Sequence, residues 1–318
     1  MLSILPQEVS TGKLHGYLLS AVSPRPIAFA STVDGLGNVN LSPFSFFNVF
    51  SANPPILVFS PARRVRDNTT KHTLENILIN KEVVINIVNY DMVQQMSLSS
   101  TEYPAGVNEF IKSGLTEVAS DIVKPPRVKE APVQFECKVN DVIALGNQGG
   151  AGNLIIAEVV KLHIKETILD ADGKIDANKI DAVARMGGNW YNRSREGMFE
   201  VIKPIKTRGI GVDALPISIK NSTILTGNDL GILGNSERIP TMDEVKEYLS
   251  LKVEKSLDIQ KSTKENLEKQ AHQLAHCLQE KGISQTDCVA VMLPRSNELI
   301  ITLMAILECG ASYLPMDP

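Results

Sequence analysis

The chain has 318 residues, with 32 Lys and Arg against 36 Asp and Glu, a formal net charge of −4, and 43% hydrophobic and 21% charged residues. This balance excludes a disordered chain, a disulfide scaffold and a dedicated nucleic-acid binder, which needs a broad basic excess to displace counterions. The length suggests about two domains at roughly 150 residues each.

The N-terminus has no basic start followed by an apolar stretch, so no secretory signal is expected. Residues 55–59, 83–88, 135–145 and 154–160 read as strands bounded by Gly, Pro, Asn and Asp clusters, as does 26–33 before them. The alternation in Val160-Lys-Leu162-His-Ile164 puts Val160, Leu162 and Ile164 on one face, expected to be core, with His163 on the polar side. Short helices are predicted over 73–79, 92–97 and 107–112, decorating the sheet. Many strands and few helices imply a mainly β barrel or sandwich.

All nine Phe residues and Trp190 precede residue 200, a break that separates two domains. Residues 205–250, rich in Gly, Asn and Asp, favour turns over packed elements and read as a wrapping extension. Thereafter Leu267, Ala271, Leu274, Ala275 and Leu278 define an amphipathic helix, with a capping box at Ser262 and Glu265 and a stop at Gly282. An apolar strand over 288–293, a helix over 296–308 and a strand over 311–314 complete half of an α/β domain. The apolar run 299–307 is about half of the ~20 residues a membrane helix needs, so no membrane span is expected and the reading is cytoplasmic.

Several motifs have simple structural explanations. Gly149-Gly-Ala-Gly152 lacks the spacing of a dinucleotide loop and reads as a plain loop, and Asp170-Ala-Asp-Gly173 as a turn rather than a calcium site. His272 and His276, four apart without the zincin Glu, read as a surface or core-edge pair. The four cysteines, Cys137, Cys277, Cys288 and Cys309, form no CxxC pair and are read as reduced, with neither disulfide nor metal; Cys137 has no nearby base to make it a nucleophile.

The informative stretch is Ser60-Pro-Ala-Arg-Arg-Val-Arg-Asp-Asn-Thr-Thr-Lys-His-Thr73, which gathers Arg63, Arg64, Arg66 and Lys71 ahead of a helix start. Bidentate guanidinium donors, an ammonium and free helical N–H groups are the ingredients of a phosphate cradle; the alternative is a solvated basic loop.

Together with Ser23-Pro-Arg-Pro-Ile-Ala-Phe-Ala-Ser-Thr-Val-Asp34, Asn40-Leu-Ser-Pro-Phe-Ser-Phe-Phe-Asn48 and Arg185-Met-Gly-Gly-Asn-Trp-Tyr-Asn-Arg193, this loop resembles the flavin reductase-like, FMN-binding split-barrel family over residues 10–250. The resemblance implies an FMN-binding split β-barrel. It would place Ser31, Thr32, Asn40, Ser42 and Ser45 near the ring and ribityl chain, Arg64, Lys71 and Thr73 at the phosphate, and Trp190, Tyr191 and Arg193 closing the site, with Arg25, Pro26, Phe46 and Ser60 also among the cofactor-binding residues. It implies no catalytic side chain, because the hydride step belongs to the flavin. Where many family members carry Gly-Asp-His, this chain has Gly152-Asn153, leaving Asn153 as the nicotinamide-side candidate, able to hydrogen-bond but not to titrate.

The implied activity is NAD(P)H:flavin reduction, with NADH or NADPH as donor, a homodimer, and a flavin-dependent oxygenase or redox protein as partner. The alternatives are a flavoredoxin-like FMN electron carrier fed by a protein donor, and a non-catalytic assembly component docking through its tail. That tail, through Leu307-Glu-Cys-Gly-Ala-Ser-Tyr-Leu-Pro-Met-Asp-Pro318, resembles the start of an adenylation domain of nonribosomal peptide synthetases. The expected domains are a split barrel over 1–204, the wrapping extension over 205–250 and an α/β adenylation-like fragment over 251–318. The fragment lacks the family's ATP loop, so no adenylation activity is expected of it.

Overall fold

The structure, a computed structural model, describes residues 1–201, 208–285, 287–293 and 297–315, with backbone alone at 250–265, 297 and 315. It comprises two compact units, residues 1–200 and 201–318. The expected boundary at 204, the helix start at 296 and the end of the tail motif at 316–318 lie outside the described residues.

The first unit is built on one seven-stranded sheet. Its strands are β1 (Ala28–Val33), β2 (Val39–Phe44), β3 (Phe47–Ala52), β4 (Pro55–Phe59), β5 (Glu82–Ile87), β8 (Val133–Ala144) and β9 (Asn153–Ile164). Short pairs β6 (Glu117–Val118) with β7 (Arg127–Val128), and β10 (Val183–Arg185) with β11 (Tyr191–Arg193), stand apart. The order is β2-β1-β5-β8-β9-β4-β3, with every neighbouring pair antiparallel. The edge strands β2 and β3 are consecutive in the chain, joined only by Ser45 and Phe46, so covalent linkage rather than a hydrogen-bonded ladder brings the two ends together. This is a split barrel.

All six residues of β1 are buried because the strand has core on both faces. Ala28 and Ala30 join Phe59, Val83, Ile85, Cys137 and Ile155 in one cluster, while Phe29 joins Leu41, Val88, Met92, Met96 and Phe110 in a second. Helix α2 (His72–Asn80) is no surface decoration, since Leu74 and Ile77 enter the first cluster. Helices α3 (Val93–Leu98) and α4 (Glu109–Ser113) bring Met96 and Phe110 to the second. Helix α1 (Thr11–Ala21), capped by Ser10, buries none of its residues, and α5 (Ala177–Ile180) is a single capped turn.

The structure corrects several expectations. Residues 153–164 are one strand, and Val160 and Leu162 are not core: they are 36% and 46% exposed. Cys137 pairs with Val159 while Glu136 pairs with Lys161, so Val160 is the extra residue of a bulge and Ile155, Ala157 and Val159 face inward; Leu162, opposite Phe135, lies on that same face where the strand is open to solvent. The Asn40–Asn48 motif is most of β2, the two linking residues Ser45 and Phe46, and the start of β3.

In the second unit, residues 208–249 form more than turns: α6 (Ile217–Lys220), α7 (Gly227–Gly234) and the start of α8 (Met242–Glu280) lie there. The capping box of α8 is Thr241 with Glu244, twenty-one residues ahead of the expected Ser262. Beyond α8, β12 (Cys288–Val291), α9 (Asn297–Glu308) and β13 (Ser312–Pro315) make a β-α-β unit whose strands pair in parallel. Ala275, Val291, Ala305, Ile306, Cys309 and Ala311 are its core, and Leu274 and Leu278 pack against it as their spacing predicts. No helix of the described residues is long and apolar enough to cross a membrane.

Candidate functional site

The basic loop after β4 is held in shape by its own polar groups. Arg63 donates from Nε to Asn68 Oδ1 at 2.7 Å and from Nη2 to the Asn68 carbonyl at 2.6 Å. Asn68 adopts φ 57°, a left-handed turn, and passes the chain back so that Arg64 Nη1 reaches Thr69 Oγ1 at 2.8 Å. The glycine loop after β8 lies directly against it: Arg63 N donates to the Ala151 carbonyl at 2.8 Å and Gly150 N to the Arg63 carbonyl at 3.0 Å. A Cβ on Gly149 would stand 3.0 Å from both the Arg64 carbonyl oxygen and Val65 Cα, and one on Gly152 would be 2.6 Å from Ser60 Oγ. Close approach to the basic loop is thus what the glycines permit.

Arg64, Arg66 and Lys71 converge on one carboxylate, Glu102. Arg64 Nε lies 2.9 Å from Oε1, Arg66 Nη2 2.8 Å from Oε2, and Lys71 Nζ 3.8 Å from Oε1. The bonds from Arg66 and Arg64 hold the Glu102 carboxyl below its usual range. Partial burial and the neighbouring Arg64 charge lower the Lys71 ammonium. Lys71 is also the N-cap residue of α2 and supplies no side-chain cap.

A buried polar chain runs inward from there. Thr73 Oγ1 donates to Asn40 Oδ1 at 2.7 Å, Asn40 Nδ2 donates to Glu109 Oε1 at 3.0 Å, and Leu41 N to Glu109 Oε2 at 2.9 Å. Asn76 Nδ2 donates to Thr32 Oγ1 at 3.0 Å, and Thr32 pairs with Asn40 across the β1–β2 ladder. Burial pushes the Glu109 carboxyl up. Two further buried hydroxyls, Ser31 Oγ and Ser60 Oγ, have no hydrogen-bond partner. Orphaned hydroxyls are costly unless something else satisfies them; Ser60, against the glycine loop, fits with the cation cluster a cofactor bearing a phosphate and a polyhydroxyl chain, while Ser31 lies on the Phe29 and Leu41 face of β1, opposite Thr32.

The expected site residues therefore separate into groups. Thr32, Asn40, Thr73, Arg64 and Lys71 come together around the start of α2. Ser60 sits where β4 ends, its N donating to the Phe46 carbonyl at 2.9 Å, and Ser42 is half-buried on β2. Phe46 is 38% exposed, and Pro26 is exposed. Arg25 is buried and clamps the chain itself: it donates to the carbonyls of Leu19, Val22 at 2.5 Å and Met186 at 2.9 Å, and to Ser45 Oγ at 3.4 Å. Burial and the neighbouring Arg185 charge lower its guanidinium.

Arg193 is likewise committed within the fold. It forks onto Asp181 at 2.6 and 2.9 Å and stacks 3.8 Å from the Tyr90 ring centroid, so its charge is already paired. Tyr191 lies under the Arg185 guanidinium, 4.6 Å away, and Trp190 at the tip of the β10–β11 hairpin is 78% exposed. Asn153 is buried and donates from Nδ2 to the Pro61 carbonyl at 3.0 Å, tying β9 to the basic loop.

Sequence reasoning passed over three acids. Glu102 and Glu109 lie far along the chain from the residues they meet, and nothing local marks them. Glu136 is fully buried and accepts the N–H groups of Asp121, Ile122 and Val123 at 2.7 to 3.1 Å and His163 Nε2 at 2.7 Å. Asp121, Glu136 and His163 offer ligand atoms within 4.8 Å of one another, but these bonds already fill the Glu136 carboxylate, which makes this a loop anchor rather than a metal centre. His163 is thus neither free nor catalytic in its contacts. Burial holds the Cys137 thiol well above its usual range, and it is no nucleophile.

The family model for the flavin reductase-like domain matches residues 20–179. The chain belongs to the flavin reductase-like family. An uncharacterized protein of Aquifex aeolicus (strain VF5) is 38% identical to this flavin reductase-like chain over 185 residues, 58% of it and 92% of the relative. Nitrilotriacetate monooxygenase component B from Bacillus cereus superposes with a TM-score of 0.59 at 30% identity, covering 64% of this chain and 98% of that one. The tail has a separate likeness: residues 251–318 match the AMP-binding enzyme model, and tyrocidine synthase 3 of Brevibacillus parabrevis is 46% identical over 56 residues, 18% of this chain and 1% of the synthase.

Proposed function

We propose that the first unit binds FMN and passes electrons from NADH or NADPH to it, as the reductase component serving a flavin-dependent oxygenase or another redox protein. The carrying observation is the convergence of Arg64, Arg66 and Lys71 at the start of α2, beside the buried Thr32–Asn40–Thr73 chain and the unpartnered hydroxyl of Ser60. The similarity to a monooxygenase component B supports the partner class.

In this reading the cations hold the phosphate, their charge-assisted bonds giving most of the discrimination for FMN over riboflavin. The α2 N-terminus adds its dipole to that hold. Ser60 bonds the polyol or the ring edge and so loses its desolvation penalty. Asn40 is kept in one amide orientation by Glu109 on one side and Thr73 on the other, which fixes the donors and acceptors it presents. Bound flavin supplies hydride acceptance and one-electron transfer; the chain supplies placement, charge and exclusion of water. A homodimer is part of the proposal, supported by β3, an edge strand exposing Val49 by 63% and Phe50 by 69%.

One observation favours a second reading, an FMN carrier fed by a protein donor. The residue standing where many family members carry His is Asn153, and its amide is already bonded to Pro61. Anaerobic addition of NADH and NADPH to the FMN-loaded protein separates the two. Rapid bleaching by either nucleotide supports the reductase; reduction by dithionite alone selects the carrier; no flavin binding at all overturns both.

A further inference from the structure

We propose that Glu102 is a built-in competitor for the phosphate cradle, a carboxylate that a phosphate must displace, and that it makes the hold on FMN exchangeable. The inference rests on the flavin reading but concerns a residue to which the family resemblance assigned no role. Glu102 is the shared acceptor of the cation cluster, receiving Arg64 on one oxygen and Arg66 on the other, with Lys71 behind. A carboxylate with two oxygens engaged by two guanidinium groups uses the donor pattern that these groups would offer to two phosphate oxygens. Both anions cannot use the same donors.

The geometry also says what displacement releases. Glu102 lies in the segment 99–108 between α3 and α4, and its backbone bonds are local: Ser100 N to the Ser97 carbonyl, Tyr103 N to Thr101 and Val107 N to Pro104. Among the described residues, the recorded link between this segment and the basic loop is the Glu102 carboxylate. Its side chain is 42% exposed, against 17% for Arg64, so it can swing into water while the arginine stays. Exposed ion pairs hold weakly, and expelling this one is within reach of a phosphate dianion, which takes the same donors with a greater negative charge and a third acceptor oxygen. Loss of the carboxylate would leave Arg64 and Lys71 without the acid they now share, and Arg66 with Asp67, 3.1 Å away, as its remaining acidic partner.

The test is Glu102→Gln, a nearly isosteric change at a partly exposed position. Affinities for FMN and riboflavin are measured by flavin fluorescence, and inorganic phosphate by calorimetry. The expected result is FMN binding tightened about three- to thirty-fold with riboflavin unchanged within about twofold, and phosphate binding raised in parallel. FMN affinity unchanged or weakened would overturn the proposal, weakening meaning that Glu102 holds the arginines in position for the ligand. Should neither protein bind either flavin, the flavin reading fails, and the phosphate measurement still decides this proposal: tighter phosphate in Glu102→Gln sustains it, equal phosphate overturns it. Amide exchange over 99–108 provides a second readout, expected to quicken on FMN addition to the unsubstituted protein; slowing would show that the carboxylate stays in place.

Discussion

Lys71 and Arg64 do different work in the cradle. Lys71 makes a single long contact with Glu102, so Lys71→Ala should remove little but charge, weakening FMN by about 1 to 2 kcal/mol while sparing riboflavin, as fluorescence titration of both flavins would reveal. Arg64 also braces Thr69, and Arg64→Ala should loosen the loop and affect both ligands. Glu136 gives a pH prediction. Burial alone would raise its carboxyl, but the N–H groups of Asp121, Ile122 and Val123 together with His163 outweigh it and hold the group below 4.5. The unfolded chain then binds the extra proton, so this contribution is complete above about pH 5 and is lost as pH falls through 4.5 and below. Glu136→Gln should lower stability at pH 7 by about 1 to 3 kcal/mol and flatten the acid limb of a melting-temperature profile; an unchanged limb would show the anchor contributes nothing. That Arg64, Lys71 and Thr73 lie close together was legible because one short stretch carries them all. Arg25, Arg193 and Asn153 were legible as polar residues but not as internal clamps, since their partners are backbone carbonyls and a distant Asp that leave no trace in the local pattern.

Helix α2 bears on both core and site, because its inward face alternates Leu74 and Ile77 with Thr73 and Asn76. Leu74→Ala should cost about 2 to 5 kcal/mol and loosen FMN as the helix start shifts, whereas Ile79→Ala, at a position 64% exposed, should change stability by under about 0.5 kcal/mol; denaturant midpoints compare them directly. Strands β1, β4, β5 and β8 announced themselves through apolar runs between turn residues. The phase of β9 did not, because strict alternation assumes an unbroken ladder and one extra residue reverses every face beyond it. Helix α1 gave no signal since it buries nothing that periodicity could mark. The true start of α8 was hidden for a different reason: two cap-like sequences lie on one helical stretch, and the helix opens at the earlier one, Thr241 with Glu244.

At the scale of the whole molecule, the likeness divides as the contacts do. The Aquifex relative is 92% covered by a match to 185 residues of this chain, so a protein of essentially the first unit alone exists as an independent chain. A version ending at residue 200 should bind FMN within about twofold of the full chain; a loss beyond about tenfold would mean that the second unit contributes to the site. The two-part organisation was legible from aromatic usage, and the character of the tail from its motif, but the helices within 208–249 were masked by a turn-rich composition. The placement of the cysteines has a practical consequence. Each unit conceals one thiol, Cys137 within the barrel and Cys309 within the β-α-β core, while Cys277 and Cys288 are exposed. Pulsed alkylation read by mass spectrometry would thus serve as two clocks in one chain: Cys277 and Cys288 mark the start, Cys309 ticks with each opening of the second unit, and Cys137 with each opening of the barrel.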